Sequence, residues 1–78
     1  MTEQDLIELG FERCNETDPK IGDWYYYSSY WDGIDLISNA SDEWDSDGLY
    51  VEVFDTNIRF KGSGDLWQLK ELIYNNLK

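Results

Sequence analysis

Asp23-Trp24-Tyr25-Tyr26-Tyr27-Ser28-Ser29-Tyr30-Trp31-Asp32-Gly33-Ile34-Asp35-Leu36-Ile37 is the stretch that decides the fold. Rings dominate its first half and branched aliphatics its second, and both suit the pleated, half-buried surface of a strand. Asp32-Gly33 separates the halves. A type I′ turn requires positive φ at both central residues, which Asp tolerates and Gly adopts freely, so a tight two-residue hairpin is predicted here. Opposite residues of an antiparallel pair share a face. This turn therefore places Trp31 across from Ile34, Ser29 from Leu36 and Tyr27 from Ser38, on one side with Tyr25.

Downstream, Asn39 to Gly48 reads as an acidic loop, and Leu49 to Phe54 alternates as a strand. A second turn at Thr56-Asn57 leads into Ile58 to Lys61, which sets Val53 opposite Phe60 and continues the apolar side through Val51 and Leu49. Gly62-Ser63-Gly64 breaks the pattern. Asp65 is then expected to cap a helix, with Gln68 three residues on and an apolar stripe of Leu66, Leu69, Leu72, Ile73 and Leu77. Upstream, Thr2 stands three residues before Asp5 as in a capping box, and Leu6, Ile7 and Leu9 follow until Gly10 ends a short helix. Phe11 to Asn15 reads as a brief strand or a packed tail to that helix, and Glu16 to Lys20, with Pro19, as loop. The expected fold is α+β: one domain over residues 1–78, a four-stranded antiparallel meander with an N-terminal and a C-terminal helix on one face.

The opposite face then gathers Trp24, Tyr26, Ser28, Tyr30, Asp35, Ile37 and Asn39 from the first hairpin, with Tyr50, Glu52, Phe54, Arg59 and Lys61 from the second. Two short helices leave nothing to cover it, and an open sheet face is ordinarily polar. This one mixes large rings with charges, the residue types enriched at binding hot spots.

Charge points the same way. The 17 Asp and Glu against 6 Lys and Arg, with no His, give a net charge of −11. No basic residue lies between Lys20 and Arg59, whereas Asp23, Asp32, Asp35, Asp42, Glu43, Asp45, Asp47, Glu52 and Asp55 all do. A field of one sign attracts partners of the other, so the expected partner is a basic protein surface, and neither nucleic acid directly nor a membrane. Solubility alone is the competing account of the charge.

Catalytic apparatus is not expected. Without His, and with Cys14 as the single thiol lacking a base, neither a Ser-His-Asp nor a Cys-His arrangement nor a usual zinc site can form. Carboxylates this numerous fall near one another by chance, so their pairing does not itself indicate acid–base work. Glu43-x-Asp45-x-Asp47-Gly48 has the alternating oxygens of a calcium loop, but the position of the closing bidentate Glu is Phe54. Gly62-Ser63-Gly64 lacks the spacing and the Lys of a phosphate loop. No enzyme, metal or cofactor is expected. The lone Cys14, an acidic first turn with no apolar run, and the lack of any stretch of transmembrane length lead to a cytoplasmic expectation.

In composition and architecture, small size, acidity, lack of His and a meander flanked by helices resemble the small inhibitors encoded by phages and mobile elements, including anti-CRISPR and DNA-mimic proteins. The resemblance implies a carboxylate surface that stands in for phosphates and occludes a nucleic-acid groove on another protein. The expected function is therefore an inhibitor or adaptor. Asp42, Glu43, Asp45 and Asp47 would steer, and Trp44 would anchor. Trp24, Tyr26, Tyr30, Asp35, Tyr50 and Glu52 would form the neighbouring contact. The alternative for Trp44 is a lid folded back over the sheet. Alternatives for the whole are an antitoxin or immunity protein, a small ligand such as a sugar or nucleotide stacked on Trp24 or Tyr26, and a homodimer through the aromatic face.

Overall fold

Thr2 opens the fold with a reciprocal cap: its hydroxyl accepts the Asp5 amide at 3.2 Å, and the Asp5 carboxylate accepts the Thr2 amide at 2.9 Å. The bonds to Thr2, the backbone one foremost, hold the Asp5 carboxyl below its ordinary range. Helix α1, Glu3–Glu8, follows in the computed structural model, which describes residues 1–20 and 22–75. Gly10, at φ +94°, ends it with a Schellman arrangement, in which the Gly10 amide donates to Ile7 and the Phe11 amide to Leu6. The Lys70 ammonium donates to the Leu9 carbonyl at 2.8 Å, a cation at the negative end of the helix.

The sheet has five antiparallel strands in the order β1-β2-β3-β4-β5: Glu12–Asp18, Gly22–Trp31, Ile34–Ser38, Val51–Val53 and Arg59–Phe60. The meander is therefore one strand longer than its sequence predicts. Glu16 to Asp18, expected as loop, continue β1 and pair with Trp24 to Gly22. The Asp32-Gly33 turn has the expected backbone, φ +47° and +94°, and Trp31 pairs with Ile34 and Ser29 with Leu36 as read. In the second hairpin Phe60 faces Val51 rather than Val53, because Asp55 takes a left-handed conformation at φ +63° and lengthens the turn. A slip of two residues preserves every side chain's face, so the division into faces survives.

One face of the sheet is covered. Tyr27, Trp31, Leu36 and Val51 are buried there beneath Leu6 of α1, Leu9 at its C-cap and Leu66 of α3, Ser63–Asn75, with Phe11 meeting Trp31 edge to face at 5.6 Å. Each fully buried Leu contributes about 1.5–3 kcal/mol of transfer free energy. Helix α3 begins two residues before Asp65, which sits in its first turn rather than at the cap. Leu72, expected in the apolar stripe, is 61% exposed, and Leu77 lies outside the described residues. No helix among the described residues is long and apolar enough to cross a membrane.

β3 pairs with only the last four residues of β2, which leaves the earlier part of β2 without a strand on that side. Serines take its place. Ser38 Oγ accepts the Tyr27 amide at 2.8 Å and Ser41 Oγ the Tyr25 amide at 3.1 Å, so donors that would otherwise be stranded are satisfied. Ser41 opens the acidic segment, which is not an irregular loop but a 3₁₀ turn, Ser41–Glu43, running into the single-turn helix α2, Trp44–Asp47. Asn39 closes the segment at its base: its side-chain amide donates to the Gly48 carbonyl at 2.7 Å, and its side-chain oxygen accepts the Tyr50 amide at 3.1 Å. Asn39 is thus buried, not on the open face where its strand parity would put it.

Candidate functional site

Among the described residues, no helix covers the second face of the sheet. Residues of even parity in β2 point to it, and register links Glu12, Ser28, Ile37, Glu52 and Arg59 as one row across all five strands. Tyr30 pairs with Asp35 beside that row, and Tyr26 with Cys14 on its other flank. Tyr30 and Phe54 are 64% and 60% exposed, too open for rings whose task is core packing.

Two grooves indent this face, with Ile37 and Phe54 forming the ridge between them. One, of about 500 Å³, is lined by Tyr26, Tyr30, Glu12, Asp35 and Ser28. The other, of about 570 Å³, is lined by Tyr50, Glu43, Glu52 and Asp55. Rings and carboxylates thus alternate around both. Arg59 is already paired with two residues of the second groove: its guanidinium lies 4.7 Å from the centre of the Tyr50 ring and donates to the Glu52 carboxylate. Burial, followed by the proximity of Cys14 and Glu16, raises the Tyr26 hydroxyl above its ordinary pKa. Cys14 itself is half-buried, with Sγ 3.3 Å from Ser28 Oγ.

The sequence-predicted residues therefore divide. Tyr26, Tyr30 and Asp35 share one groove, and Glu43, Tyr50 and Glu52 the other. Trp24 lies apart, in a depression of about 390 Å³ towards the β1–β2 tip, with Asp23, Glu16 and Arg13. Asp42, Asp45 and Asp47 are exposed on the helical segment. Trp44 turns inward: its Nε1 donates to the Asn39 carbonyl at 2.9 Å and its ring meets Tyr25 edge to face at 5.3 Å. The ring is folded back onto the sheet rather than projecting.

Sequence reasoning missed Glu12, which reaches the first groove because β1 is a strand. The run Glu12-Arg13-Cys14-Asn15-Glu16-Thr17-Asp18 is polar on both faces and shows no hydrophobic alternation. The available signal is the Asp18-Pro19 turn chemistry, realised as an Asp18 side chain accepting the Lys20 amide at 2.7 Å. Among the described residues, no three His, Cys, Asp or Glu side chains converge as metal ligands would. No protein-family model, curated protein or solved structure matches this chain.

Proposed function

We propose that this chain is a small acidic protein-binding module, an inhibitor or adaptor that docks its uncovered, ring-bearing sheet face and the adjoining acidic segment onto a basic surface of another protein. A nucleic-acid-binding groove is the kind of basic surface that fits, because carboxylates spaced along a sheet can take the place of phosphates. The action is stoichiometric rather than catalytic. The supporting observation is the open face, where Tyr30 and Phe54 stand exposed between two carboxylate-lined grooves. Solubility needs charge, but it does not need exposed rings beside it.

Affinity capture from the host cell, followed by titration of the recovered partner, tests this. The partner should be basic, and its affinity should fall at least about tenfold between about 50 mM and about 500 mM salt. Reversing Asp42, Glu43, Asp45 and Asp47 to Lys should weaken it similarly. A captured protein whose affinity ignores both salt and charge reversal would sink the proposal.

A further inference from the structure

The two grooves differ in one respect. In the groove beneath Tyr50 the chain's own Arg59 stacks its guanidinium on the ring and donates to Glu52, an aromatic–carboxylate receptor with its cation in place. The groove across the Ile37–Phe54 ridge has the same kinds of residue, Tyr26 and Tyr30 as rings with Glu12 and Asp35 as carboxylates, and among the described residues none of these four is held by a Lys or Arg in an ion pair or over its ring. We propose that this first groove, lined by Tyr26, Tyr30, Glu12 and Asp35, receives an arginine side chain of the docked partner. The inference rests on the docking reading above and specifies the chemistry at its centre.

Charge complementarity selects a cation, since two carboxylates and two rings line the same space. Geometry selects arginine over lysine. A planar guanidinium stacks on a ring while its edge donates to a carboxylate, as Arg59 does, whereas an ammonium is a compact, strongly hydrated point charge. The Arg13 guanidinium stacks likewise at the other end of the sheet, 3.6 Å from the centre of the Tyr25 ring, whereas the Lys70 ammonium stands 5.8 Å from the ring centres of both Trp31 and Trp67. At about 500 Å³ the groove has room for an arginine side chain together with its flanking backbone. Tyr30 is the most exposed of its rings and Asp35 pairs directly with it, so these two residues meet the incoming side chain first.

The probe is a set of short blocked peptides alternating Ser with Arg, Lys or citrulline, titrated against the intact chain while backbone amide shifts are followed. The arginine peptide should bind about tenfold tighter than the lysine peptide, and the uncharged citrulline peptide should not bind. Its shifts should centre on Ser28, Tyr30 and Asp35. Asp35→Asn and Tyr30→Ala, both at exposed positions, should each weaken it about tenfold, while Asp45→Asn should change it less than about twofold. If arginine and lysine peptides bind alike with shifts on residues 42–47, the groove assignment falls while docking through acidity stands. If the arginine peptide moves none of the three groove amides, the assignment falls outright; the docking reading is then judged by the salt response of the captured partner.

Discussion

The side-chain oxygen of Asn39 accepts the backbone amide of Tyr50 at 3.1 Å, and the backbone amide of Asn39 donates to the Tyr50 carbonyl at 3.2 Å. One side chain thus substitutes for a rung of the β3–β4 ladder where the acidic segment departs and returns. The segment's position beside the second groove depends on that closure. Asn39→Ala leaves the half-buried Tyr50 amide and the Gly48 carbonyl without their partner, a loss of about 1–3 kcal/mol. For a chain this short, melting falls by about 4–8 °C for each kcal/mol, which thermal denaturation followed by circular dichroism will read.

Ser38 has a comparable part in β2. Its hydroxyl accepts the Tyr27 amide and donates to the Asn39 carbonyl while only 5% exposed, so water cannot replace it easily. Ser38→Ala should cost about 1–3 kcal/mol. The specific signature is hydrogen exchange, with protection of the Tyr27 amide falling more than that of amides paired between β1 and β2. Ser41→Ala, at a half-buried site, should cost less. Equal protection loss throughout the sheet would show that Ser38 only fills space.

Tyr25, Tyr26 and Tyr27 all have hydroxyls raised above the ordinary 10.0, burial being the largest cause in each. For Tyr27 the second cause is the Glu3 carboxylate, which accepts its hydroxyl at 3.0 Å. A raised pKa means that the folded chain holds these protons more tightly than the unfolded chain does. Their contribution to stability is therefore complete below pH 10.0 and is lost as pH rises through the folded values. Absorbance titration of phenolate should show these three tyrosines ionising later in the native protein than in denaturant. Tyr27→Phe should remove part of that difference.

Legibility followed where side chains report on backbone. Asp32-Gly33 fixed a turn because its conformation has few chemical solutions, and the rings around it fixed the faces. The slip at Phe60 from Val53 to Val51 was invisible to alternation, since a period of two is blind to a shift of two. β1 reads only as a brief strand or a packed tail over Phe11 to Asn15 for the opposite reason: its pairing is carried by backbone groups and by Arg13 stacked on Tyr25, neither of which leaves an apolar pattern. The open face was readable as a list of residues. Its division into two grooves was not, because the ridge brings together Ile37 of β3 and Phe54 of the turn after β4.

Trp44 shows the limit of reading a side chain from its neighbours in sequence. Acids on both sides suggest a ring held out to solvent, yet a helical turn rotates Asp42, Glu43, Asp45 and Asp47 outward while Trp44 faces the sheet. There it gains an edge contact with Tyr25 and a hydrogen bond to Asn39, which tie the acidic segment to the sheet. Trp44→Phe should lower stability by about 0.5–1.5 kcal/mol through loss of the indole hydrogen bond. Partner affinity, measured well below the melting transition, should change less than about twofold, whereas Asp45→Lys should do the reverse. If Trp44→Phe instead weakened binding about tenfold without lowering the melting temperature, the ring would have to leave the sheet on docking. The acidic segment would then be a moving arm rather than a fixed rim.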